Sequence, residues 1–270
     1  MHMEKGSVPE RLQRLREKEG IVSQLTEEEL STLAQNSEEV RCAKGDHLLD
    51  PSKEKDYLYL VLAGEVTVSL RVPRDQDHVL DEIRPGGLIG EMSLFIGGDR
   101  TATAHVTQDG SLLKIAIADF HQLLLSRLDL WNYVANLVQV RLRRLKLVTH
   151  LTGFFEQTNV FDGRLVRELE PDLKWVTLRR GERLFREGEA ADAAYFVITG
   201  RLRVVVDDHK ATEKWAGEIV SGEAVGEMAL LSETVRSATV YASRDSELVK
   251  IPTATFEGLV ERYPQLLKGL

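Results

Sequence analysis

The sequence predicts a mainly β chain with flanking α-helices, folded as two tandem jelly-roll β-barrels joined by a helix. Three observations carry this. The 270 residues exceed one ordinary domain and suit two of roughly 100–150 residues, each large enough to bury its own core. The two halves repeat at one constant offset. In each half, short apolar runs punctuated by glycine follow one another, the rhythm of closed or double-sheet β architectures.

The repeat decides the rest. Gly45 pairs with Gly181, Asp56 with Asp192, Tyr59 with Tyr195, Gly64 with Gly200 and Gly86 with Gly222, each pair 136 apart. The offset continues through Gly90, Glu91 and Met92 onto Gly226, Glu227 and Met228, then Arg100 onto Arg236, Lys114 onto Lys250 and Phe120 onto Phe256. One register held from Gly45 to Phe120 marks a tandem duplication. The organisation read from it is a helical or flexible lead over 1–20, a first unit over 21–150 that ends in a linker helix, and a second unit over 151–270.

Each unit has the same plan. Thr26 followed by three glutamates, with Leu30 and Leu33 at helical spacing, predicts a short N-capped helix. The aromatic and β-branched runs Tyr57 to Leu62 and Ala194 to Thr199 predict strands. Each is stopped by a glycine, and the first resumes as the alternating Val66, Val68 and Leu70. Helical periodicity returns in Ala118 to Leu151 and Thr255 to Leu267.

Composition narrows the function. Apolar residues make up 43% and charged residues 29% of the chain, the balance of a globular protein. A single cysteine, Cys42, forbids an intrachain disulfide, and no apolar run approaches the ~20 residues of a spanning helix. A cytoplasmic protein without a transmembrane segment is expected. The net charge of −8 disfavours a broad DNA-binding footprint. A small anion needs only a local positive site.

The residues that stand out chemically are Gly90-Glu91-Met92-Ser93 with Arg100-Thr101-Ala102, and Gly226-Glu227-Met228-Ala229 with Arg236-Ser237-Ala238. A helical turn beginning at Glu91 leaves unpaired N–H groups for a phosphate oxygen. The preceding glycine permits close approach to the backbone. An arginine fork holds two phosphate oxygens in one geometry, whereas a glutamate accepts from a hydroxyl and so reads a sugar. The set describes a ligand with one phosphate and one free ribose hydroxyl, which a cyclic mononucleotide possesses.

Both segments resemble the phosphate-binding cassette of cyclic-nucleotide-binding domains, G-E-L/M-A/S-L followed by P-R-A/S/T-A-T. The resemblance implies an eight-stranded β-roll with flanking helices. It further implies Glu91 and Glu227 on the ribose 2′-hydroxyl, Arg100 and Arg236 on the cyclic phosphate, and further phosphate contacts from Thr101 or Ser237 and the N–H of Ala102 or Ala238. The ligand is cAMP or cGMP, with the base preference open, and no cofactor is implied. Asp99 and Val235 stand where the family has proline, and Asp99 places a like charge by the first phosphate site. The family's apolar lid over the base falls to Trp131 or Tyr133 in the first unit and Tyr263 in the second.

Other readings are set aside. His47, His78, His105 and His121 form no metal-ligand grouping. Arg141-Leu-Arg-Arg-Leu-Lys146 has apolar partners at helical spacing and reads as a linker helix with a charged outer face. No helix-turn-helix unit accompanies it, unlike catabolite-activator-type regulators. No nucleophile elbow, P-loop or metal cluster appears, so the chain is expected not to be an enzyme. The layout is also similar to kinase regulatory subunits, but Arg11-Leu-Gln-Arg-Leu-Arg16 lacks the paired arginines of their inhibitor segment. Trp175 to Glu182, Gly226 to Leu231 and Arg244 to Leu248 resemble regulatory domains of bacterial patatin-like phospholipases related to neuropathy target esterase. The partners implied are a cyclic mononucleotide and an effector domain or protein. The mechanism expected is that ligand orders each cassette and draws the following helix toward it. A degenerate pair serving as a protein- or membrane-interaction region of a larger phospholipase is the alternative.

Overall fold

The computed structural model describes residues 6–18, 20–49, 56–70, 78–95, 102–154, 163–207, 213–226 and 235–264. The chain divides into two compact units, Met1–Leu145 and Lys146–Leu270.

In the first unit, α1 (Val8–Arg16) starts at a capping box between Ser7 and Glu10. It buries Leu12 and Leu15 in the same core as Leu58, Leu60 and Leu113. Helix α2 (Glu27–Gln35) begins as expected: Thr26 Oγ1 accepts from Glu29 N–H at 3.2 Å, and the Glu29 carboxylate accepts from Thr26 N–H at 2.7 Å. Six strands then form one antiparallel sheet: β1 (Glu38–Cys42), β2 (His47–Leu49), β3 (Tyr57–Leu70), β4 (His78–Ile83), β5 (Leu88–Ile89) and β6 (Thr103–Ala116). Helices α3 (Ile117–Ser126) and α4 (Leu128–Phe154) follow, and α4 runs past Leu145 into the second unit.

The second unit contains α5 (Gly163–Leu169), β7 (Lys174–Leu178), β8 (Arg183–Phe185), β9 (Ala193–Thr199), β10 (Arg201–Asp207), β11 (Glu213–Val220), β12 (Ala224–Val225), β13 (Thr239–Ala242), β14 (Ser246–Pro252) and α6 (Thr253–Arg262). Its strands make two antiparallel sheets, ordered β11-β10-β13-β8 and β12-β9-β14-β7. Tyr195, Val197 and Leu248 from one sheet share a core with Leu202, Val240 and Ala242 from the other. The mainly β class with flanking helices is therefore as predicted. Among the described residues the sheets do not close into a continuous hydrogen-bonded ring.

The duplication is visible in individual hydrogen bonds. Gly45 N–H donates to Val106 O and Gly181 N–H to Ala242 O, both at 2.8 Å. Ile117 N–H donates to Asp56 O at 2.8 Å, as Thr253 N–H does to Asp192 O at 3.0 Å. Lys44 N–H donates to the Asp109 carboxylate at 2.7 Å and Arg180 N–H to that of Asp245 at 2.8 Å. Every partner is again displaced by 136.

Two helix predictions are corrected. Ala118 to Leu151 is not one helix, because the chain breaks at Arg127, whose backbone is extended. Its guanidinium donates to both Glu29 oxygens at 2.8 and 3.0 Å and to Asp129 at 2.7 and 2.9 Å. The predicted helix Thr255 to Leu267 spans Thr253–Arg262. Tyr263 precedes Pro264, whose ring pushes it out of the helical region, and it has φ −132° and ψ 72°.

The strand predicted to stop at Gly64 instead continues through it as β3, with the β3–β6 register shifting on either side. A Cβ on Gly64 would lie 2.6 Å from Gln108 O, and one on Gly110 would lie 1.9 Å from Ala63 O. Neither backbone can yield without opening the ladder. Gly110→Ala is therefore expected to destabilise the protein by about 3 kcal/mol or more, measured as a fall in the midpoint of chemical unfolding. An unchanged midpoint would show that the two strands part freely there.

Candidate functional site

Each unit displays one half of the predicted cassette. Arg100 and Thr101 in the first, and Glu227, Met228 and Ala229 in the second, lie outside the described residues. The described members are Gly90, Glu91, Met92, Ser93 and Ala102, with Gly226, Arg236, Ser237 and Ala238.

In the first unit, Gly90 has φ 90° and caps a 3-10 turn over Glu91–Leu94. That is the predicted helical turn. Met92 packs against the core, while Glu91 turns inward and is 1% exposed. Its Oε1 lies 2.5 Å from Arg141 Nη1 on α4, and the same nitrogen donates to Leu88 O at 2.8 Å. Asp81 on β4 completes the group: its carboxylate is 3.4 Å from Arg141 Nε and 3.2 Å from Arg144 Nη1. Burial works against the charge of Arg141, but the Glu91 and Asp81 carboxylates outweigh it and hold the guanidinium above its ordinary pKa. The Glu91–Arg141 contact is a close ion pair.

This corrects the reading of Arg141 to Lys146 as a helix with a charged outer face. Arg144 is 8% exposed, and the Arg141 side chain, 13% exposed, faces Glu91 and Asp81. Apolar periodicity assigned the face correctly for Val138 and Leu142 but is blind to a cation whose counterion comes from a distant strand. Trp131, expected as a lid, packs against Phe95 just after the cassette turn, with ring centroids 4.9 Å apart. Tyr133 also packs on this core.

In the second unit the arginine is on view. Arg236 is 4% exposed. Nη1 donates to Ala193 O at 2.7 Å and Gly226 O at 3.4 Å, and Nη2 lies 3.5 Å from Asp192 Oδ1. Its Cζ sits 4.2 Å from the Phe185 ring centroid and 5.6 Å from that of Tyr195. Asp192 is itself held by Lys250 at 2.8 Å, which lowers its pKa. Nε of Arg236 is buried and has no acceptor among the described residues. Arg236, Ser237, Ala238 and Gly226 line a cavity of about 140 Å³ whose remaining wall is apolar, including Phe185, Val204, Ile219, Val225 and Val240. Tyr263, the expected lid of this unit, is not among the residues lining that cavity.

Gly226 has φ 73°, and a Cβ there would meet Arg236 Nη1 at 2.4 Å. The glycine predicted to admit a ligand thus first admits the arginine. Among the described residues no three His, Cys, Asp or Glu side chains are placed to hold a metal, and no helix is long and apolar enough to cross a membrane.

Against known proteins, the cyclic nucleotide-binding domain model matches residues 39–127 and again 175–263. The chain belongs to the cyclic nucleotide-binding domain family and carries two copies of its domain. It is 30% identical over 72% of its length to patatin-like phospholipase domain-containing protein 7 of Rattus norvegicus. It is 27% identical over 79% of its length to patatin-like phospholipase domain-containing protein 6 of Homo sapiens. The matched regions make up only 13% and 14% of those proteins. A cAMP co-crystal of the regulatory domain of Toxoplasma gondii PKA aligns over 99% of this chain and 98% of that one, at 20% identity and a TM-score of 0.39.

Gly226→Ala is expected to cost about 1–3 kcal/mol, from strain at positive φ and displacement of the guanidinium. Gly222→Ala, where φ is 92° but the nearest atom is 3.8 Å away, isolates the strain. Equal shifts in the thermal unfolding of the two variants would remove the Arg236 contact from the account.

Proposed function

We propose that the chain is a cyclic-nucleotide sensor that binds cAMP or cGMP in each unit and passes the event on through the helix after the first barrel. The observation that carries this is Arg236: buried, fixed by two carbonyls and Asp192, its Nε donor without an acceptor among the described residues, and its side chain part of the wall of a mainly apolar cavity. Burying such a cation carries a cost, and a donor without an acceptor in a residue that lines a cavity is open to an incoming acceptor. The apolar wall suits a purine, and the bare donor suits a phosphate oxygen.

The first unit supplies the other half of the chemistry. In this reading the buried Glu91 carboxylate accepts the ribose 2′-hydroxyl, and the 136-residue offset carries that role to Glu227. By the same offset, Arg100 with Thr101 and Ala102 takes the phosphate role of Arg236 with Ser237 and Ala238. Because Arg141 touches Glu91 from α4, a hydroxyl arriving at that carboxylate changes what holds the helix to the barrel. Helix α4 continues into the second unit. The relatives named as patatin-like phospholipases suggest a lipid-hydrolase domain as the effector, with this pair as its regulatory region.

Calorimetric titration with cAMP and cGMP tests the reading. Saturable binding is expected, weakened about 10- to 200-fold at the second site by Arg236→Ala. 2′-Deoxy-cAMP is expected to bind roughly tenfold or more weakly than cAMP without any change to the protein. No heat at millimolar nucleotide would sink the proposal. For transmission, ligand should alter the small-angle scattering profile, and Arg141→Lys, which keeps the charge but loses the fork, should reduce that change.

A further inference from the structure

Phe185 has no part in the sequence motif. It lies at the end of β8, opposite Val240 on β13, with 7% of its surface exposed. Three observations single it out. Its ring faces the Arg236 guanidinium carbon at 4.2 Å, closer than Tyr195 at 5.6 Å. It packs against Tyr195 with ring centroids 6.0 Å apart, so the two rings form one shelf. It also lines the cavity that Arg236 lines, and Arg236 Nε is a buried donor without an acceptor among the described residues. The position 136 residues earlier is Leu49, whereas Tyr195 is matched by Tyr59. The shelf is complete only in the second unit.

We propose that Phe185 is a positioning residue for the anion site of the second unit, holding the Arg236 fork in the plane that presents Nε and Nη2 to a phosphate. The inference rests on the cyclic-nucleotide reading of that site. The flat guanidinium stacks on a ring face, which fixes its rotation while leaving every N–H free for in-plane acceptors. Ala193 O and Gly226 O then fix one nitrogen and Asp192 approaches another. A leucine fills the same volume without a face to stack on, so the fork above it is free to rotate. The consequence is an inequality between the two sites: the second is pre-organised for an anionic ligand by a residue the first lacks.

The test uses the full chain carrying Arg100→Ala, so that titration with cAMP reports the second site. Phe185→Leu is expected to weaken binding about tenfold, while Phe185→Tyr, which keeps the ring face, stays within about threefold. Phe185→Met, apolar and without a ring, should behave like Leu and serves if the Leu variant does not fold. In an Arg236→Gln background Phe185→Leu should have almost no further effect, because the shelf then has no cation to hold. Binding by the parent chain with unchanged affinity in Phe185→Leu overturns this inference alone. An equal loss in the Arg236→Gln background assigns Phe185 to cavity packing and overturns it too. Absence of saturable binding by the parent chain overturns the cyclic-nucleotide reading and the inference with it.

Discussion

A guanidinium with 4% of its surface exposed has to be compensated on every side, and the second unit is arranged around that requirement at Arg236. Moving a cation out of water costs several kcal/mol unless hydrogen bonds and counter-charge replace the lost hydration. Ala193 and Gly226 contribute carbonyls, Asp192 a carboxylate, and Phe185 and Tyr195 aromatic faces. These partners come from β8, β9, the short loop before β9 and the turn after β12, so the strands must meet at one end of the core for the arginine to be tolerable there. Gly226 follows from the same demand, because any side chain at that point occupies the space of the guanidinium.

The first unit meets a similar demand in a different place. Arg141 and Arg144 are buried against Glu91 and Asp81, two cations on two carboxylates, with Leu88 O as a further acceptor. The residue 136 after Asp81 is Gly217, so the second unit has no carboxylate at the matching position. Duplication thus yielded two mainly β units with equivalent hydrogen bonds at the turns. Among the described residues, Glu91 of the first unit is tied to α4 and Arg236 of the second lies over two aromatic rings.

What the sequence made legible follows from this. The turns were readable because glycines at positive φ and carboxylates that accept backbone N–H groups recur in register. Asp192, Tyr195 and Lys250 were in the repeat from the start, yet their common purpose, encircling Arg236, is a fact of tertiary packing that spacing does not express. Phe185 and Arg141 were harder still. Phe185 has no identical counterpart to flag it, and Arg141 lies on a basic helical stretch whose average is that of a solvated face. The break at Arg127 escaped notice because the apolar period crosses it undisturbed, and only the pairing with Glu29 and Asp129 marks it.

The arrangement at Glu91 also limits how strongly ligand and helix can be coupled. A ligand shifts a conformational equilibrium only by its differential affinity for the two states. If the 2′-hydroxyl relieved Arg141 of its only partner, the helix would be left with an uncompensated buried cation, and binding would oppose itself. Arg141 instead keeps Leu88 O and Asp81, and Asp81 also faces Arg144. Under the proposed reading, binding would loosen one ion contact while two other anchors remain, and allosteric couplings are typically about 1–3 kcal/mol. Asp81 would then keep Arg141 compensated while Glu91 served the sugar.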